Sequence, residues 1–443
     1  MKSDVQVIGA AAAKDAMGIE CREPAMLGAI SRIAVAAGIS TALLAGCGHD
    51  GGTAAAPATS SKPPAVDLST LDAGKYLTLP RRLGQVASED EGRMAEAIRM
   101  AEAVADPTSI DPTLVEQTIF APLITPSDVA ANISMTGQAV VAPVLAKYEM
   151  VSGRLLMANN TKVDPSSSQR PEQDVKTVLI MLVRFPDAAA AKNAAVEMDA
   201  ADFAVSPENV PVPVTKYPAA HGHWRPTNPS MASTLAHNDF VIHVLVTNPT
   251  TNLETLTGMV EKTFDQEIPE LDRFQPTPVG RIAKLPKDPD GLLGRLVDLT
   301  PGTEPTLSTT VASYGPNGAR QVQNQREMKD RAYENAGVDQ AAVWIDSKLG
   351  GSSLLRARDR DAAIKLMDEE IATDVDINHP VDGVRGLADS KCFALKPDSS
   401  TDAPGLQFEC YVQYDRYVAG TYSGDEADAR RRAAAQYALL ATP

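Results

Sequence analysis

Continuous apolar runs alternate along this chain with segments whose apolar positions recur at helical spacing, and the order of the two patterns repeats. Val178-Leu179-Ile180-Met181-Leu182-Val183 is an unbroken apolar run, the pattern of a strand in a buried central position. Asp187 stands where an N-cap belongs, and behind it Ala188–Phe203 carries Ala191, Ala195, Met198 and Phe203 along one stripe, which predicts a helix. A short strand is expected near Gly222–Arg225, a stronger one over Phe240–Val246, and a helix from Asn252 to about Asp265. The succession strand, helix, strand, strand, helix returns as Ser353–Ala357, Asp361–Ala372, Lys391–Leu395, Gln407–Tyr414 and Asp425–Leu440. Its clearest local echo sets Arg184-Phe185-Pro186-Asp187-Ala188-Ala189 against Arg358-Asp359-Arg360-Asp361-Ala362-Ala363, each arginine ending a strand and each aspartate capping a helix. The expectation is an α+β fold of two duplicated domains, each a mostly antiparallel sheet with packed helices, ferredoxin-like or a related sandwich.

The Pro-rich span Phe274–Pro286 separates the two units, giving a first domain over residues 67–280 and a second over 281–443. The first opens with a short extended segment, Leu71–Arg81, and then a Glu/Ala/Met/Arg-rich helix from about Ser88 to Ala105. Residues 47–66 are dominated by Gly, Ala, Pro, Ser and Thr, cannot bury enough apolar surface to fold, and read as a flexible tether. As a coil such a stretch spans roughly 25 Å.

Ahead of the tether, Arg32 precedes the uncharged stretch Ile33–Leu44, long enough for the apolar region of an export signal and too short to span a bilayer. It closes on Leu44-Ala45-Gly46-Cys47, which resembles the lipobox of bacterial lipoproteins. The resemblance implies a diacylglyceryl group on the Cys47 thiol, cleavage after Gly46 and acylation of the new amine, so that residues 1–46 are an export signal. Asp4, Asp15, Glu20 and Glu23 do not suit a cationic leader, which makes Met26 the better start. Acyl chains on Cys47 would hold the body at the outer face of the cytoplasmic membrane, each buried methylene contributing about 0.8 kcal/mol.

Hydrophobic residues at 44% and charged residues at 22% are ordinary for a soluble globular body. The formal charge of −16 survives removal of the signal, because Lys2, Lys14, Arg22 and Arg32 balance its four acids. Dispersed and outnumbered basic residues argue against nucleic acid as a partner, and aromatic residues at 5% argue against a glycan-stacking platform. Once Cys47 is acylated, Cys392 and Cys410 are the possible internal pair in the exported chain. Each lies in a strand-like run, on either side of a Pro/Asp/Ser/Gly loop, so they are expected to face one another in a hairpin and form a disulfide.

Catalytic signatures are sparse. The chain has no G-x-S-x-G elbow, no phosphate-binding or dinucleotide fingerprint and no H-E-x-x-H. Of six histidines, His49 lies in the tether, His237 and His379 in turn-like polar segments, and His243 in an apolar strand, where it reads as a core histidine. His221-Gly222-His223 puts two imidazoles on alternate positions of a strand, the one constellation that suggests a metal, with Asp239 or His243 as a third ligand; a structural role is the plainer reading. Asp288-Pro289-Asp290-Gly291 is turn chemistry.

Leu71-Asp72, Gly74, Tyr76, Thr78 and Pro80-Arg81, following a lipobox and tether, together with Ala336-Gly337-Val338-Asp339 and Asp389-Ser390-Lys391-Cys392, resemble a family of uncharacterised actinobacterial lipoproteins best known from mycobacteria. The resemblance implies location and architecture and carries no activity, cofactor or catalytic residue. The functional expectation is a non-enzymatic envelope lipoprotein without cofactor, bound to the membrane through Cys47, whose partner is an envelope protein or an apolar ligand. A carrier or sensor of apolar envelope molecules and a metal-dependent hydrolase using His221 and His223 are the alternatives.

Overall fold

The computed structural model describes residues 66–133, 138–161, 175–322, 326–373, 378–395 and 404–443; the expected export signal, Met26, Cys47, His49 and most of the expected tether lie outside the described residues. The first domain runs, in chain order, through α1 (Glu89–Arg99), α2 (Pro107–Ile110), β1 (Glu116–Leu123), α3 (Pro126–Ile133), α4 (Gln138–Lys147), β2 (Ser152–Asn159), β3 (Thr177–Arg184), α5 (Ala188–Phe203), β4 (Val210–Pro211), β5 (His221–Trp224), β6 (Ser230–His237), β7 (Phe240–Thr247) and α6 (Leu253–Arg273). The second continues with β8 (Val311–Tyr314), α7 (Pro316–Gln321), α8 (Arg326–Ala336), β9 (Gln340–Asp346), β10 (Gly350–Arg356), α9 (Arg360–Thr373), β11 (Asn378–Val381), β12 (Lys391–Leu395), β13 (Phe408–Tyr414), β14 (Tyr417–Ser423) and α10 (Glu426–Ala441).

Among the described residues each domain forms a seven-stranded antiparallel sheet, ordered β1-β2-β3-β7-β6-β5-β4 in the first and β8-β9-β10-β14-β13-β12-β11 in the second. Strand for strand the two orders coincide, so the α+β duplication is present, and it is more extensive than three strands per unit. The correspondence also moves. Phe240–Thr247 answers to Tyr417–Ser423, since each pairs with the central strand, whereas Phe408–Tyr414 answers to Ser230–His237. The local echo shifts with it: Arg356 ends β10 as Arg184 ends β3, and the helix cap is Asp359, not Asp361. Asp359 accepts the Ala362 N–H at 2.8 Å just as Asp187 accepts that of Ala190 at 2.8 Å.

Backbone detail repeats too. Glu149 (φ 54°) and Gly337 (φ 60°) end the helices before β2 and β9, and in each case the next N–H reaches back five residues, Met150 to Leu145 and Val338 to Tyr333. Asn238 (φ 52°) and Asp415 (φ 50°) occupy equivalent hairpin turns. Cys392 on β12 stands opposite Cys410 on β13 and the two are joined as a disulfide, with Cα atoms 4.1 Å apart. The facing pair at this position in the first domain is Gly222 and Ser233.

The period-two alternation of β3 sorts its side chains between two layers. Leu179, Met181 and Val183 pack against Val129, Leu145 and Ala195 of the outer helices α3, α4 and α5. Val178, Ile180 and Leu182 face the other way, into one core that includes α1, α6, α10 and the inner face of the second sheet, with Phe264, Leu354, Val412 and Tyr437. A second outer layer, from α8 and α9, covers the far side with Tyr333, Leu366 and Met367. The shared core makes the two sheets one body.

Residues 66–86 act as a strap across the second domain. Tyr76 packs with Val297, Ala435 and Leu439, and its hydroxyl donates to Asp428 at 2.7 Å. The Arg432 guanidinium lies 4.8 Å from the Tyr76 ring centre and donates to Asp428 at 2.8 Å and to the Leu349 carbonyl at 2.9 Å. Arg81 pairs with buried Asp298 at 2.6 Å.

Candidate functional site

Strand β5 places His221 and His223 at alternate positions, as their spacing predicts, and both sit beside α5. There they part. His223 is buried between two α5 carboxylates, its Nδ1 3.2 Å from Asp199 and its Nε2 3.5 Å from Asp202, with the Phe203 ring edge-on. Opposite ring nitrogens turn to different acids, so the contacts tie helix to sheet instead of converging on one point. Burial holds the Asp202 carboxyl above its ordinary range, with the His223 charge opposing. His221 lines a separate pocket of about 280 Å³ with Lys192 and several alanines.

The two candidate third ligands are engaged elsewhere. Asp239 accepts from Arg184 Nε at 3.0 Å. His243 is buried with its Nδ1 3.0 Å from the Thr234 hydroxyl, and burial depresses its pKa to about 4, so it is a neutral core histidine. Among the described residues no group of three or more His, Cys, Asp or Glu is arranged to hold a metal ion.

A different feature lies between the domains, and its residues are scattered from Ile98 to Gln340. It is a cleft of about 470 Å³ whose walls include Arg99, Glu102 and Phe274 from the first domain and Tyr314, Asn317 and Gln340 from the second. Helix α1 starts on Ser88, which caps the Glu91 N–H, and ends by tightening into a 3₁₀ turn over Met100–Ala103, which carries Glu102 to the domain boundary. The Glu102 carboxylate accepts the backbone N–H groups of Asn317 at 3.1 Å and Gly318 at 2.8 Å, so an acid of one domain caps α7 of the other. Burial raises its pKa against the pull of those two bonds. A Cβ at position 315 would lie 2.8 Å from the Glu102 carboxyl carbon, so a larger residue there would push the capping carboxylate aside.

Arg99 is fixed from behind. Fully buried Glu96 accepts from Arg99 and from Arg184 at 2.6 Å each and from the Thr277 N–H at 2.9 Å, while Arg99 also lies over the Phe274 ring. Arg273 also lines the cleft, and a further cation, not among the lining residues, lies in the core. Arg154, on the inner face of β2, is completely buried, with its guanidinium carbon 3.4 Å from the Phe120 ring centre and 5.7 Å from that of Tyr314. Its guanidinium and the Tyr314 hydroxyl are sealed from solvent and interact with each other, outside strict hydrogen-bond geometry. Burial lowers the Arg154 pKa to about 10, which leaves it protonated at neutral pH, and raises that of Tyr314 despite the nearby positive charge.

Residues 83–287 match the family described as Domain of unknown function (DUF7373) N-terminal, and residues 292–443 match its C-terminal counterpart. No curated protein matches the sequence. Among solved structures, the chain is similar to the extracellular domain of PknH from Mycobacterium tuberculosis at 9% identity, over 39% of this chain and 94% of that one, with a TM-score of 0.27, too low to establish a common fold. With both of its domains matched over most of their length, the chain belongs to the DUF7373 family, whose function is unknown.

Proposed function

We propose that the protein is a non-enzymatic envelope lipoprotein, anchored through Cys47, that binds a small polar ligand in the cleft between its duplicated domains. The observation that carries this reading is the cleft itself, about 470 Å³ and lined by charged and polar side chains of both domains, among them Arg99, Arg273, Asn317 and Gln340. The charged walls favour a polar ligand over the aliphatic cargo of a carrier. Binding is favoured over turnover because Glu102 and Arg99 are committed to structural bonds and no histidine lines the cleft.

The anchor rests on Arg32, the apolar run Ile33–Leu44 and Cys47. Among the described residues no helix is long and apolar enough to cross a membrane, so in this reading the acyl chains supply the attachment. Cys47→Ser should move the protein from the membrane to the soluble fraction of native cells, and equal retention of the variant contradicts the anchor. For the cleft, Ser313→Trp fills the wall beside Tyr314. Native mass spectrometry of gently extracted protein should show a bound small molecule that this variant lacks. Wild-type protein that is consistently empty, or an adduct equally present in Ser313→Trp, overturns the reading.

A further inference from the structure

Resting on the Cys47 anchor of that reading, we infer that the strap is also a membrane-contact surface, where Leu77, Leu79 and Leu349 enter the lipid interface and Lys75 and Lys348 meet anionic headgroups. These three are the exposed leucines of the described residues, at 39%, 66% and 50% exposure, and Leu79 is the most exposed large apolar side chain among them. They are distant in sequence and close in the fold. Buried Tyr76 directly precedes Leu77, and the Arg432 guanidinium beside the Tyr76 ring donates to the Leu349 carbonyl at 2.9 Å, so one side chain joins both segments. Along the strap Lys75, Leu77 and Leu79 are exposed, whereas Tyr76 is buried and Thr78 half-buried, the alternation of an extended chain with one face on the body and the other outward. Single exposed apolar residues are ordinary on a protein surface; leucines gathered at one place mark a contact.

Each leucine segment carries its own cation. Lys75 lies 5.6 Å from the Tyr76 ring centre, Lys348 is exposed beside Leu349, and neither ammonium forms an ion pair among the described residues. The acids around them are engaged: Asp346 accepts the N–H groups of Lys348 and Leu349 at 2.8 and 2.9 Å, Asp72 pairs with Arg431 at 3.1 Å, and Asp428 takes Tyr76 and Arg432. On a chain of net charge −16, free lysines beside exposed leucines suit an anionic lipid surface, which accepts apolar side chains below its headgroups and ammonium groups among them. The occupant also follows from where the tether ends. Residues 47–66 lead directly into the strap, and their coil span of roughly 25 Å keeps this part of an anchored body within reach of the bilayer. Tethering makes the second attachment intramolecular, so a weak surface affinity suffices for a standing contact.

The test is sedimentation of the intact Cys47→Ser chain, which lacks the acyl chains, with vesicles of phosphatidylglycerol and phosphatidylcholine or of phosphatidylcholine alone. The protein should sediment with the anionic vesicles, and less with neutral ones or at high salt. In the same background Leu77→Gln/Leu79→Gln/Leu349→Gln should lower the partition coefficient by about tenfold or more. Lys75→Gln/Lys348→Gln should lower it on anionic vesicles by about fivefold per lysine and leave neutral vesicles unaffected. Residues 1–46 are common to all three proteins and cancel in the comparison. The inference is overturned if the Cys47→Ser chain does not sediment with anionic vesicles beyond a vesicle-free control, or if the leucine variant partitions as its parent does. Should the leucine variant melt at a lower temperature than its parent, Leu79→Gln alone and the lysine pair decide the matter. The intact mass of the wild-type protein reads acylation of Cys47 separately, so the anchor and the contact surface can each fail without the other.

Discussion

Glu267 offers the sharpest test of how the inner layer is held. It lies on α6 in the interior, wholly buried, where one carboxyl oxygen accepts the Ala105 N–H at 2.9 Å and the other has no partner. Burial drives its pKa from 4.5 up to about 8, opposed by the Ala105 bond and aided by Glu270. The folded protein therefore keeps a proton that the unfolded chain releases above 4.5. Stability from the neutral carboxyl is complete below that value and is lost as pH rises through about 8. At 1.36 kcal/mol per pH unit the displacement corresponds to about 5 kcal/mol between acid and alkaline limits. Glu267→Gln keeps an oxygen for Ala105 and cannot ionise. Urea unfolding of both proteins at pH 4.5, 7 and 9 should show little difference at the lowest pH and an advantage for the variant that grows to several kcal/mol at the highest. Other titrating groups cancel in the difference, so two stability curves running parallel across this range would refute the reasoning.

His243 works in the opposite direction: its folded pKa of about 4 lies below the ordinary 6.5, so its stability contribution is present above 6.5 and lost as pH falls towards 4. His243→Gln should lessen the acid loss by up to about 3 kcal/mol in melts between pH 4 and 7, and an unchanged slope would contradict it. Breaking the Cys392–Cys410 bond, which closes a loop of sequence separation 18, should cost about 3 kcal/mol in urea unfolding with and without reductant; coincident midpoints argue against it. Glu149→Gly, which gives the first domain the residue its duplicate uses at the same left-handed position, should stabilise by up to about 1 kcal/mol in the same assay, whereas a loss would show that the glutamate side chain matters more than its backbone. Arg432→Met removes the partner of buried Tyr76 and Asp428 and should destabilise by about 3–5 kcal/mol, with protease cleavage appearing first within residues 66–86.

What was legible in the chain follows from where local pattern and burial agree. β3 is an unbroken apolar run and α5 begins on an aspartate cap, and both lie where their patterns place them. The cysteines were legible because each is flanked by strand-forming residues. β2 was not, since Ser152, Gly153, Arg154 and Asn159 look like loop until neighbouring strands enclose them, and β10 was legible only from Ser353 onward, its Gly350, Gly351 and Ser352 reading as loop. α6 continues past Asp265 through Pro269 to Arg273 because Leu271 buries itself in the shared core, an example of packing overriding propensity. The expected helix from Ser88 to Ala105 instead tightens after Arg99. The cleft was out of reach, because residues far apart in the chain meet only after the domains dock. One signal was available: Arg154 directly precedes Leu155-Leu156-Met157, and a charge inside an apolar stretch deserves to be followed to its partner.

The strap sets an order of events. Residues 66–86 are synthesised early, yet the seat of Tyr76 is completed by Asp428, 352 positions later, in the closing helix. During synthesis the leading end of the body waits for its trailing end. A polypeptide cut short before α10 leaves Tyr76 without Ala435 and Leu439 and the leading segment open to proteases, so docking of the strap doubles as a check that the chain is whole.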